Sequence, residues 1–106
     1  MSNILSNAFS LQMIKDLSHE EKKVSITPVK PQNIPSTVES AIGHADTAKV
    51  VEGMLGFPVP ANRVNIVLDE NDILFVAQLK GGRLPEGATT LPEGFEIEFF
   101  RVEILR

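Results

Sequence analysis

Apolar and polar positions alternate along this chain with two different periods, and those periods divide it into short elements. NILSN (3–7) is short and β-like. FSLQMIKDL (9–17) carries Leu11, Ile14 and Leu17 at helical spacing, and Ser10 stands where a helix N-cap would. KKVSITPVK (22–30) alternates Val24, Ile26 and Pro28, a strand pattern whose proline suits a sheet edge. PQNIPSTVESAIG (31–43) opens on turn residues and predicts a short helix from Ser36. ADTAKVVEGMLG (45–56) puts Val50, Val51, Met54 and Leu55 on one face of a helix that Gly56 and Pro58 stop. NRVNIVL (62–68) and DILFVAQL (72–79) read as strands, with DEND (69–72) as a hairpin turn between them. KGGRLPEGATTLPEG (80–94) is a long loop, and FEIEFFRVEIL (95–105) alternates again as the last strand.

About five strands and two or three helices follow. They predict an α/β or α+β fold, with a mixed five-stranded sheet flanked by helices and residues 1–106 forming one domain. LPEG occurs at 84–87 and again at 91–94, a repeated turn sequence too short to define a repeat fold.

Composition narrows the function classes. Hydrophobic residues at 42% and charged residues at 23% are globular values. The absence of cysteine excludes disulfides and thiolate metal sites. No apolar run is long enough to span a bilayer, and the N-terminus lacks the basic start and apolar core of a signal peptide, so the expected location is the cytoplasm and no membrane partner is expected. The net charge of −4 disfavours a duplex-DNA binder, whereas a small anionic ligand needs only a few local donors.

The chain has two histidines. His19, in DLSHEEKK, sits in a charged turn and reads as solvated. His44, in AIGHADTAKV, follows Gly43 at the start of a helix. An imidazole is a side chain suited to acid–base work, though such a histidine also serves as a partner for nearby backbone groups. Arg83 and Glu86 stand in the Gly- and Pro-rich GGRLPEG loop. Such a loop can present charge to a ligand, and its arginine and glutamate can equally form a weak exposed pair. NAFS (7–10) and GHADT (43–47) both lie at predicted loop-to-helix junctions, where free N–H groups and the helix dipole suit phosphate. Plain capping by Ser10, and by Asp46 or Thr47, accounts for the same residues. No P-loop, dinucleotide fingerprint, zinc spacing or Ser-His-Asp pattern is present.

Taken in order, NAFSLQMI, AIGHADTAKVV, NRVNIVL and RLPEG resemble the viral ring nuclease family. These are anti-CRISPR proteins of archaeal viruses and phages, with relatives on bacterial mobile elements. The family pattern is NAFS-x-x-M, then IGH followed closely by Thr, then NRV, then RL-x-EG. Many viral members have Asp-Ser-Thr after the histidine, where this chain has Ala45, Asp46 and Thr47. KGG lengthens the loop before Arg83, and ATTLPEG stands in place of a helix before the last strand, which resembles the bacterial and phage branch.

The resemblance implies degradation of cyclic tetra-adenylate, the second messenger of type III CRISPR defence, by a homodimer whose two subunits form a cradle over the ring. It implies that His44, Arg83 and Glu86 are catalytic. It further implies ligand contacts from Asn7, Ala8, Phe9, Ser10, Gly43 and Thr47. The chemistry such a family needs is simple: a ribose 2′-hydroxyl attacks the adjacent phosphorus and leaves a 2′,3′-cyclic phosphate, so no metal or other cofactor is expected. Two other expectations compete with this one. One is a binding protein that sequesters cyclic oligonucleotides without turnover, and the other is a mobile-element protein that acts on a host partner.

Overall fold

The computed structural model describes residues 2–105. Five strands form one sheet: β1 (Asn3–Ser6), β2 (Lys23–Val29), β3 (Glu39–Ser40), β4 (Ile73–Lys80) and β5 (Glu96–Leu105). The order across the sheet is β2-β5-β4-β1-β3. β1 runs parallel to both β3 and β4, whereas β5 runs antiparallel to β4 and β2. The fold is α+β, with a mixed sheet and one α-helix, α1 (Ala45–Leu55). Among the described residues no helix is long and apolar enough to cross a membrane.

The alternation along β4 explains why the sheet is buried on both faces. Phe75 and Ala77 point to one side, where they pack with Leu5, Ile42, Val59, Phe99 and the α1 residues Ala48 and Val51. Leu74 and Val76 point to the other, with Ile14, Leu68, Val102 and Ile104. Side chains at i and i+2 share a face of a strand, so one run of apolar residues feeds both cores. β2 is an edge strand that pairs only with β5, which accommodates Pro28 without a lost ladder bond in the sheet interior.

Three elements differ from the periodic reading. Residues 62–68 form no strand, because both edges of β4 are already occupied by β1 and β5. The segment instead lies across the second core, with Leu68 buried and Ile66 packed against the cluster. The DEND turn exists, tied by the Asp69 carboxylate accepting from the Asn71 amide at 2.9 Å, but it joins a coil to β4 rather than two paired strands.

Residues 9–17 form a single 3₁₀ turn, Leu11–Met13, rather than an α-helix. Their backbone is bonded elsewhere: the Lys15 amide donates to the Leu68 carbonyl at 2.9 Å and the Leu68 amide donates to the Met13 carbonyl at 2.6 Å. Asp16 takes a positive φ of 59°, which ends any helical run. Ser10 flanks that turn without a side-chain capping bond. The short helix predicted from Ser36 is also absent. A 3₁₀ turn, Pro31–Asn33, comes earlier, and residues 39–40 pair with β1, where the Ala41 amide extends the contact by donating to the Leu5 carbonyl at 2.7 Å.

Candidate functional site

Parallel strands deliver chain segments to the same end of a sheet, and ligands in open α/β sheets bind outside those carboxyl ends. Here three strands do so. Asn7 follows β1, His44 stands four residues beyond β3, and Arg83 and Glu86 follow β4. α1 begins at the same end, and its burial pattern explains its placement. Thr47, Ala48, Val50 and Val51 are buried, so that face is fixed on the sheet and the first turn is held beside the strand ends.

The result is an open groove of about 930 Å³, lined by Asn7, His44, Asp46, Thr47, Leu79, Gly82, Arg83, Leu84 and Glu86. His44 is the N-cap residue of α1 in extended conformation, and its side chain makes no capping hydrogen bond. The first helical bond runs from the Ala48 amide to the His44 carbonyl at 3.0 Å. The amides of Ala45, Asp46 and Thr47 therefore precede the intrahelical ladder and face the positive end of the helix dipole. His44, Arg83 and Glu86 are exposed, whereas Thr47, on the first turn of the helix, is buried.

The loop carrying Arg83 and Glu86 occupies residues 81–95 between β4 and β5, whose last register pair is Lys80 with Glu96. It leaves the sheet through Gly81, at φ +112°. A Cβ there would lie 2.9 Å from the Gly94 carbonyl oxygen and 3.0 Å from the Phe95 Cα, so only glycine lets the two stems of the loop approach this closely. At the same base, Lys80 pairs with Glu98 across the strands, and that hydrogen bond raises the lysine above its ordinary pKa. Farther along, the Gly87 amide donates to the Asp46 carboxylate at 2.9 Å.

The sequence-predicted ligand residues divide. Asn7, His44, Thr47, Arg83 and Glu86 share the main groove. Asn7, Ala8 and Ser10 line a second groove of about 540 Å³ with Gln12, Val64 and Asn65, so Asn7 is common to both. Phe9 turns away and packs on the core beneath residues 9–17. Gly43 lines neither groove. Its missing side chain makes room for Arg63, whose Cβ and Nε would both stand 3.2 Å from a Cβ at Gly43.

Arg63 therefore lies beside the segment that leads into His44. Its neighbour Asn62 fastens the segment, donating from its amide side chain to the Ser40 carbonyl at 2.9 Å and from its backbone to the Ile42 carbonyl at 2.8 Å. Neither Arg63 nor the Asp46 contact follows from reading residues one at a time. Arg63 was visible as part of NRV, but its closeness to Gly43 arises only when 62–63 docks on 40–43. Asp46 read as a helix cap, yet its carboxylate is turned to the loop. Among the described residues no three His, Cys, Asp or Glu side chains gather to hold a metal ion.

Known proteins resemble this chain in both sequence and fold. It is 39% identical over 69 residues to "Uncharacterized protein 26" of Sulfolobus islandicus filamentous virus (isolate Iceland/Hveragerdi), a match covering 59% of this chain and 58% of that protein. The chain thus matches somewhat more than half the length of that relative. The solved structure of B116 of Sulfolobus turreted icosahedral virus superposes with a TM-score of 0.76, covering 97% of this chain and 99% of that one at 24% identity. That likeness shows a shared fold. The model of the STIV B116-like family matches residues 3–102, nearly the whole chain, and this protein belongs to that family.

Proposed function

We propose that the main groove binds cyclic tetra-adenylate and cleaves it without a metal ion to linear di-adenylates ending in 2′,3′-cyclic phosphates, antagonising type III CRISPR signalling. The observation that carries this reading is that His44, Arg83 and Glu86 share one groove at the N-terminus of α1. The order of the NAFS, IGH, NRV and RLPEG segments supports it.

In the proposed reaction a ribose 2′-oxygen attacks the adjacent phosphorus in line. The 2′-O–P bond forms and the P–O5′ bond breaks. The 2′-hydroxyl proton passes to a carboxylate or water, and the departing 5′-oxygen takes a proton from His44. A general acid contributes about 10²–10⁴ in rate to such a step. Arg83 balances the charge on the phosphoryl oxygens, for which a guanidinium fork is suited. Glu86 supplies a carboxylate that orients the imidazole or a ribose hydroxyl. The free amides at the start of α1 give the phosphate further donors. A four-nucleotide ring presents equivalent phosphates about a two-fold axis, so two copies of the chain would engage it with two such grooves.

The test is single-turnover decay of labelled cyclic tetra-adenylate by wild type and His44→Ala, with direct binding and a thermal melt alongside. His44 is exposed, so its removal opens no core cavity. The variant is expected to fold and bind but to cleave about 10²-fold or more slowly. A wild type that binds tightly and never cleaves supports sequestration instead. Cleavage by His44→Ala at the wild-type rate removes His44 as the acid.

A further inference from the structure

We propose that Asp46 is a positioning residue that latches the Arg83 and Glu86 loop to the start of α1 and so sets the spacing of the two sides of the groove. The latch itself is a matter of geometry; its catalytic consequence rests on the function proposed above.

The loop has few means of holding a shape. Gly81, Gly82 and Gly87 all have positive φ, at 112°, 122° and 82°, so the stretch carrying Arg83 and Glu86 is flanked by residues of wide backbone freedom. Its backbone bonds are short-range turns, from the Ala88 amide to the Pro85 carbonyl and from the Phe95 amide to the Pro92 carbonyl, both at 3.1 Å. The bond from the Gly87 amide to the Asp46 carboxylate, at 2.9 Å, is different in kind: it spans 41 residues of sequence. One end lies immediately after Glu86 and the other two residues after His44.

Position on the helix decides which side chain can do this. Successive residues of an α-helix are rotated by about 100°. Ala45 and Asp46 therefore face different directions, and it is Asp46 that faces the loop and lines the groove. An acid in the first turn is favoured by the helix dipole, and its bond to an amide is charge-assisted. One side chain thus serves the helix start and the loop together.

The experiment follows water exchange of the Gly87 amide by NMR in wild type, Asp46→Ala and Asp46→Asn, and measures cyclic tetra-adenylate cleavage by the same proteins. Asp46→Ala should speed Gly87 exchange about tenfold or more, as expected for loss of a hydrogen bond to a charged group. The Ala48 amide, bonded within α1, should be unchanged. Asp46→Asn keeps a side-chain carbonyl acceptor and should recover part of the protection. In cleavage, Asp46→Ala should lower kcat/KM about tenfold in the wild-type background and less than about twofold in Arg83→Ala, since a residue acting through the loop loses its effect once the arginine is gone. Unchanged Gly87 exchange in Asp46→Ala overturns the latch, whatever cleavage does. Faster exchange with fully additive kinetic losses overturns the positioning role. Wild type without cleavage overturns the proposed function and with it the catalytic consequence, while the exchange measurement still decides the latch.

Discussion

Arg83 occupies the exposed rim of the groove, and its replacement disturbs no core packing. In the proposed site its guanidinium meets phosphoryl oxygens both in the bound ring and as charge builds during cleavage. Arg83→Ala is therefore expected to weaken binding and slow single-turnover cleavage, each by about tenfold to a hundredfold, the size of a lost charge-assisted hydrogen bond. Arg83→Lys should restore part of the affinity and little of the rate, because an ammonium keeps the charge without the fork. Titration of labelled ring alongside single-turnover decay measures both, and an Arg83→Ala protein matching wild type in each removes the arginine from the site. The neighbouring residues show where reading the sequence stops. Gly43 is a ligand contact by resemblance, yet the space a Cβ would take there belongs to Arg63. Phe9 lies within NAFS, yet it packs against the core cluster that holds Ile14 and Leu68, residues that are distant from each other in sequence.

At the scale of elements, local pattern and tertiary pairing contribute unequally. β5 and α1 were legible because their periodicity largely coincides with their burial: Phe99, Val102 and Ile104 are buried on β5, and Val50 and Val51 on α1. Met54, which the spacing puts on the same face of α1, is exposed, and Thr47 and Ala48 are buried in its place. α1 also ends where composition predicts, at Gly56 in the left-handed conformation. Residues 62–68 alternate as well, but alternation reports only that a segment has an inner and an outer side. It does not report whether a sheet edge is free to receive it, and β4 has none. β3 was missed for the opposite reason. Two residues are too few to show a period, and they are strand only because β1 pairs with them. The long loop was legible from its glycines and prolines, and its base carries the clearest stability test. Gly81→Ala imposes a conformation that L residues avoid and drives a Cβ into the Gly94 carbonyl. The first effect alone costs about 1–3 kcal/mol. At about 4–8 °C per kcal/mol for a domain of this size, a melt should fall by at least about 4 °C. A melting temperature equal to wild type would mean that the loop stems are not held this closely.

For the whole molecule, the parallel set β3-β1-β4 explains why residues spread from Asn7 to Glu86 meet at one end of the sheet. The four short motifs supply Asn7, His44, Thr47, Arg83 and Glu86, which share the main groove, but also Ala8, Phe9, Ser10 and Gly43, which do not line it. In the proposed function, one main groove per chain would meet a four-nucleotide ring of two-fold character only in an assembly of two. Leu11, Val64 and Val67 are large apolar side chains at 68%, 50% and 61% exposure, with Val64 and Val67 on the second groove that Asn7 joins to the first. Light scattering at micromolar concentration is expected to give a dimer mass, and a monomer both with and without the ring contradicts the two-groove arrangement. The proposed chemistry requires that this chain open a cyclic oligonucleotide using only its own side chains and the substrate's 2′-hydroxyl. The direct measurement is incubation of the purified protein with cyclic tetra-adenylate in EDTA, with products separated by chromatography. Linear di-adenylates bearing 2′,3′-cyclic phosphates are predicted, at the same rate as without chelator. Intact ring after prolonged incubation, or cleavage that EDTA abolishes and manganese or magnesium restores, contradicts it.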